Sequence, residues 1–447
     1  MARAGLSHRR SRGQRPPGTV RNRNHRPAWA VPTACGEGRS GQRGAGRRLD
    51  RQAVLQRVAA THDRLRRRDR RPGRPHRAGQ VGVQRLGIRF LDARFHRLVG
   101  VDDPRRLERD PAHDHRRTRA RTAAGTECAL MPNEFDEFHA ELRTVAGDLL
   151  AKDRTVDWQT LVDAGWVGLE VPEQFGGAGA TFAEVAVICE EMGRAASTNR
   201  YLGSAVLAVS TLNALQPSDG RDRLLTDVAS GEIRIAVALD TLDFVPDAEG
   251  ADRVLLVTDG GVVDARVSAP RPVLDETRRL AAVAADGDTA AVMAFEGDPA
   301  EARARLLQRA AVAVACDSLG LSEAMLAATV AYAKVRHQFD RPIGSFQAVK
   351  HACADMAVTI SIARQLVEAA VDAVAHDSPD AGVSVAMAKA YVCGKAVDIV
   401  GKAMQLHGGI GYTWESGIHV YLKRAALNRS LFGSPAAHRQ ELAKRYG

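Results

Sequence analysis

Along residues 131–232 the apolar positions recur at the spacing of helices. FDEFHAELRTVAGDLLA, from Phe135, places its apolar side chains along one helical face, as an amphipathic helix requires. VDWQTLVDAGWVGLEVPEQFGGAGA follows and predicts a helix, an extended Val-Pro segment and a Gly-rich turn. Thr181 precedes FAEVAVICEEMGRAA, with Glu184 three residues on, the pattern of a capping box. YLGSAVLAVSTLNAL predicts a further helix ending before Pro217. Between 233 and 297 the period shortens: IRIAVAL, RVLLVT, GVVDARV and AAVMAF are short apolar runs with Asp and Gly between them, and predict a small β unit. From GDPAEARA onward helical segments resume at 301–337, 345–376, 380–406 and about 417–431. Their length and apolar faces suit an antiparallel bundle. The expected fold class is therefore mainly α with a small β domain. An N-terminal helical domain spans 131–232, a reduced β domain 233–298 and a C-terminal four-helix bundle 299–447.

Residues 1–130 lack that periodicity; only VGVQRLGIRFLDARFHRLVG, 81–100, predicts a short strand or helix. They hold 33 Arg, no Lys and 11 acidic residues, so their net charge is +22. The whole chain carries +10, which leaves 10 − 22 = −12 for the remainder. Like charge with few apolar residues cannot offset chain entropy, and disorder is expected. An Arg-rich arm for nucleic acid is one reading. The complete absence of Lys argues instead for a GC-rich stretch read out of frame or upstream of the true start, with Met131 opening the folded part. The segment is taken as an Arg-rich extension, disordered or mis-started, and nucleic acid is not an expected partner.

The six cysteines (Cys35, Cys128, Cys189, Cys316, Cys353, Cys393) form no CxxC pair and no metal-like spacing, so they read as mostly buried thiols of a reducing compartment, with no metal. No apolar run reaches the roughly 18–20 residues of a membrane helix, and no apolar segment follows the start. The expectation is a soluble, cytoplasmic protein without membrane attachment.

The chemistry concentrates in the bundle. QLHGGIGYTW, Gln405–Trp414, carries Gly408, Gly409 and Gly411 at the end of a helical run, where glycine at this density weakens a helix by about 1 kcal/mol per residue. Taken alone, these glycines could be a helix C-cap. Arg336, in YAKVRHQFDRPIGSFQAVKHACADMAV (332–358), could likewise be a helix-end surface charge. Together the strings are more specific. With GLEVPEQFGGAGATFAEVAVICEEMGRA, DETRRLAAV at 275–283 and AMQLHGGIGYTWE at 403–415, residues 131–447 resemble the acyl-CoA dehydrogenases.

The resemblance implies an FAD-dependent oxidoreductase that dehydrogenates an acyl-CoA thioester between Cα and Cβ, in lipid or steroid catabolism. Electrons would pass to an electron-transfer flavoprotein or a similar acceptor. It implies that Arg336 pairs with the FAD diphosphate, that Phe339 packs on the cofactor and that Gln347 meets its adenine end. The Gly408–Gly409 pair would let the backbone lie against the FAD of a neighbouring subunit, with Gln405 one turn earlier. His407 reads as a packed helix-end residue, and Tyr412 and Trp414 as core.

The sequence departs from that family in two ways. The reaction needs a carboxylate to take the α-proton. One usual position lies about 21 residues beyond Gly411, at Phe432; the other lies ten residues before the Gly of Leu319-Gly320, at Ala310. Neither side chain accepts a proton. Asp317, about 10 Å along the same helix from Ala310, is a weak candidate, for which a structural pairing with a bundle Arg is the alternative. Second, TLDFVPDAEG replaces the family's segment over the flavin ring. These departures resemble the companion subunit of actinobacterial steroid-type α2β2 acyl-CoA dehydrogenases, which completes the site of a homologous partner. A self-sufficient dehydrogenase using Asp317 and a flavin-free interaction protein on the same fold are the alternatives.

Overall fold

The computed structural model describes residues 134–446 except 287–291; the Arg-rich extension lies outside the described residues. Helix α1 is Glu134–Leu150, α2 Trp158–Asp163 and α3 Phe182–Ala195. The capping box is present: Glu184 Oε2 accepts from the Thr181 N–H at 2.9 Å, and Thr181 Oγ1 accepts from the Ala183 N–H at 3.2 Å. The expected YLGSAVLAVSTLNAL helix begins as a π-helix, Leu202–Leu207, and continues as α4, Ala208–Asn213. A helix not foreseen, α5 (Asp219–Ser230), follows; Ser218 Oγ caps it by accepting from the Arg221 N–H at 3.2 Å.

The β domain is a five-stranded sheet in the order β1-β3-β4-β5-β2, from β1 (Ile235–Ala238), β2 (Val245–Pro246), β3 (Arg253–Thr258), β4 (Gly261–Arg271) and β5 (Leu280–Ala285). β1 and β3 are parallel and the other pairs antiparallel. The described part of AAVMAF makes two isolated bridges instead of the expected strand, Met293 with Val262 on the edge of β4 just before the stretch that pairs with β5, and Phe295 with Leu215 outside the sheet.

The bundle holds α6 (Pro299–Val335), α7 (Gln347–Ala375), α8 (Ala381–His407) and α9 (Ile418–Ser430). A further helix, α10 (Pro435–Tyr446), extends the expected four. Its start was readable: Ser434 accepts from the Ala437 N–H at 3.2 Å, with proline at the first helical position. α6 does contain a stretch long and apolar enough to cross a membrane, contrary to the sequence reading. Most of it is buried among the chain's own helices, as a bundle core demands.

α3 and α6 pack backbone to backbone. A Cβ on Gly193 would sit 1.9 Å from Asp317 O, and one on Gly320 would sit 1.9 Å from Glu190 O. The reciprocal glycines fix the crossing of the N-terminal domain on the bundle, and any side chain there would force the helices apart. One apolar core accordingly runs through both, from Trp166, Phe182 and Ile188 to Val314, Leu319 and Val392.

Candidate functional site

The up-down-up course of α6, α7 and α8 brings the C-terminal ends of α6 and α8 to the same end of the bundle as the N-terminus of α7. Tyr332 and His407, one near each C-terminal end, stack with ring centroids 4.5 Å apart and planes 23° apart. His407 Nδ1 lies 2.7 Å from Ala403 O, while its buried Nε2 has no partner among the described residues. Burial holds its pKa below the ordinary histidine value.

Onto this end the sequence-predicted cofactor residues converge. Arg336 caps α6 and is exposed; among the described residues no hydrogen bond or ion pair engages its guanidinium. A two-residue hairpin follows, in which strand β6 (His337–Gln338) pairs with β7 (Arg341–Pro342). Its loop residues, Phe339 and Asp340, have φ of 52° and 61°. Two positive φ values favour Asn-Gly in such a loop, and a phenylalanine there is strained. Phe339 is 86% exposed, and its ring meets the edge of Phe346 at 6.1 Å. Gln347 opens α7, whose first turn has no side-chain cap. Its free N–H groups suit an anion.

The three glycines separate by cause. Gly411 is required by packing, since its Cβ would meet Met404 O at 2.4 Å. Gly408 adopts φ 61° and ψ −142°, a conformation of glycine. Gly409 has neither reason: it is exposed, and a Cβ there meets nothing within 4 Å. Gln405 is exposed, its Oε1 accepting from Lys402 Nζ at 3.0 Å. Tyr412 and Trp414 are not core. Each is 69% exposed, because the Gly-rich turn swings them outward, and the Trp414 ring meets His419 (4.3 Å) and the Lys423 ammonium (4.9 Å). With Val335 (71%) and Phe339 they make this end apolar as well as basic.

Asp317 lies far from that end, buried where three regions meet. Oδ1 accepts from Arg424 Nε at 2.9 Å and Asn428 Nδ2 at 2.6 Å; Oδ2 accepts from Arg424 Nη2 at 2.6 Å and Arg278 Nη2 at 3.1 Å. Arg424 Nη1 also donates to Ser197 O (2.7 Å) and Thr277 Oγ1 (2.8 Å). Burial alone would raise the Asp317 pKa, but the guanidiniums of Arg424 and Arg278 outweigh it and hold the carboxyl below its ordinary range. A carboxylate so paired is a poor base. Nothing in the order of residues singles out Arg424, Arg278 or Asn428: two arginines and an asparagine are ordinary in composition, and Asp317 is more than a hundred residues away from Arg424.

Neither usual base position carries a carboxylate. Ala310 is fully buried in α6. Phe432 is 7% exposed with φ 54°, and its carbonyl lies 2.9 Å from His438 Nε2. It lines a cavity of about 240 Å³ between the β domain and the end of α9.

The sequence matches the acyl-CoA dehydrogenase N-terminal domain family over residues 111–232 and the C-terminal domain family over 301–447. The first match begins upstream of Met131. Acyl-CoA dehydrogenase IpdE2 of Mycobacterium tuberculosis is 36% identical over 292 residues, 64% of this chain and 86% of that protein. Among solved structures, the Tcur3481-Tcur3483 steroid ACAD superposes with a TM-score of 0.62 at 24% identity, over 69% of this chain and 97% of that one. The ChsE4-ChsE5 complex from Mycobacterium tuberculosis does so with 0.60 at 22%, over 69% and 96%. By its sequence and its fold the chain belongs to the acyl-CoA dehydrogenase family, FAD-dependent oxidoreductases acting on acyl-CoA thioesters.

Proposed function

We propose that this chain is the companion subunit of a heteromeric acyl-CoA dehydrogenase, clamping the FAD of a homologous partner, most simply as α2β2. What carries the reading is an asymmetry within one chain. The bundle end offers an unpartnered guanidinium, an exposed strained phenylalanine, an uncapped helix N-terminus and an exposed glycine with open space. The chain's own base positions hold Phe432 and Ala310.

The residues present fit one edge of a dinucleotide. Arg336 would take the diphosphate with a planar, always-charged fork. Gln347 and the first N–H groups of α7 would face polar acceptors, Phe339 would cover an apolar face, and Gly408, Gly409 and Gln405 would admit the cofactor to the backbone. The chemistry FAD supplies in this family is two-electron oxidation of the acyl Cα–Cβ bond. The α-proton would leave to a glutamate of the partner, and the electrons would go to an electron-transfer flavoprotein or a similar acceptor. The Tcur3481-Tcur3483 steroid ACAD and the ChsE4-ChsE5 complex support a steroid-type substrate and a two-chain assembly. A self-sufficient enzyme using Asp317 is disfavoured by the two arginines and Asn428 that engage its oxygens.

Co-expression with homologous subunits that carry the glutamate, followed by native mass and flavin analysis, tests the assignment. The expected outcome is a colourless chain alone and a yellow, active hetero-oligomer. Stoichiometric FAD and robust turnover in the isolated chain would reject it.

A further inference from the structure

His407 ends α8 and makes none of the contacts assigned to the cofactor. It is 3% exposed. Its ring stacks on Tyr332 of α6, and the Gly-rich turn folds directly onto the same residue. A Cβ on Gly411 would lie 3.1 Å from His407 Cβ, so the histidine is the floor on which the turn rests. Nδ1 lies 2.7 Å from Ala403 O. A carbonyl can only accept, so Nδ1 carries the hydrogen and Nε2 is a bare acceptor. That Nε2 is buried and has no partner among the described residues.

A second proton must go to Nε2, where it creates a buried cation and an N–H with no described acceptor. The C-terminus of α8 and the face of Tyr332 both favour a cation, but the cost of burying an unpaired charge is larger. Tyr332 is the titratable side chain that faces the ring. Lys334 and Arg336 of α6, Asp340 of the hairpin, His351 of α7, Lys402 of α8 and Glu415 beyond the turn are all exposed. None of them bears on the His407 titration, which answers to burial and to the Ala403 carbonyl. The proton is therefore taken up only if the ring leaves its stack, and the turn then loses its floor.

We propose that His407 is a proton-sensitive latch: the neutral ring, packed between Tyr332 and the Gly-rich turn, holds the turn closed, and protonation frees it. The latch is a property of the isolated chain; that the freed turn lets go of FAD rests on the companion-subunit reading. The sign follows from the lowered pKa. The open form binds the proton more readily, so the latch is fully closed above the ordinary histidine value of about 6.5 and is lost as pH falls below it. Hydrogen exchange of the full-length chain, corrected for the intrinsic effect of pH, reads this directly. From pH 7.5 to 5.5, protection of the Met404, His407 and Thr413 amides should fall at least threefold, while that of α3 stays level. His407→Phe keeps an aromatic floor that cannot titrate and should make the profile level. If that variant fails to fold, the spectrum of the wild-type chain labelled with ¹⁵N-histidine decides. His407 should appear there as the neutral Nδ1–H form at pH 6, below its ordinary value. Level protection in the wild type overturns the latch, as does the same fall in a folded His407→Phe, or a charged His407 at pH 6 beneath a protected turn. In the assembled complex, acid should release FAD with the same profile. A turn that opens while FAD stays bound would leave the latch standing and count against the clamp.

Discussion

Asp317→Asn separates a structural carboxylate from a catalytic one. The substitution keeps the volume but turns one acceptor oxygen into a donor, facing Arg424 Nη2 and Arg278 Nη2 or Arg424 Nε and Asn428. Two guanidiniums stay buried without their counter-charge. Breaking such a pair costs about 3–5 kcal/mol. At roughly 2–4 °C per kcal/mol for a large domain, Tm should fall by roughly 6–20 °C in a thermal scan followed by circular dichroism. The sign with pH follows from the depressed pKa. The Asp317 contribution is complete above the ordinary aspartate range and is lost as pH falls through the lower folded value. The gap between variant and wild type should therefore be constant from about pH 5 upward and close in acid. Replacing the pair together, Asp317→Leu with Arg424→Met, should recover part of the loss. Turnover of the assembled enzyme, at matched flavin content and below the melting range, should stay within a few-fold, whereas removing a true base costs about 10²–10⁴-fold. An unchanged Tm, or a hundredfold loss of turnover with assembly and flavin intact, would refute the structural role.

Arg336→Ala should weaken FAD retention in the assembled complex more than tenfold, since a charge-assisted bond to phosphate contributes about 1.5–3 kcal/mol; unchanged flavin affinity by fluorescence titration would remove Arg336 from the clamp. Gly411→Ala should lower the Tm of the isolated chain, because its Cβ meets Met404 O at 2.4 Å. Gly409→Ala, with open space around it, should leave that Tm within about 2 °C yet reduce flavin retention in the complex; the reverse pattern would show that neither glycine faces a partner. The isolated chain should dehydrogenate no acyl-CoA of any chain length. Activity should appear on mixing with a homologue bearing a glutamate at either base position, and turnover without one would count against the division of labour.

The sequence by itself determined the elements whose causes are local. Helical periodicity placed α6, α7 and α8 within a few residues of their ends, the Thr181–Glu184 box is a contact over three residues, and the strings around Arg336 and Gly408 identified the family. It missed what depends on partners distant in the chain. AAVMAF has the composition of a strand, but its described residues divide between two partners far apart in the chain, Met293 bridging Val262 of β4 and Phe295 bridging Leu215 outside the sheet. Tyr412 and Trp414 have the composition of core residues, and the Gly-rich turn exposes them. Helical spacing made Asp317 a weak candidate for the base, with pairing to a bundle Arg as the other reading. That its partners are Arg424, Arg278 and Asn428 was decided by the docking of three regions on one carboxylate. Gly409 marks the division most clearly. Its composition signals a close approach, but only the fold shows that no described part of this chain makes one, since close approach is a property of surfaces brought together and not of the residues taken in order.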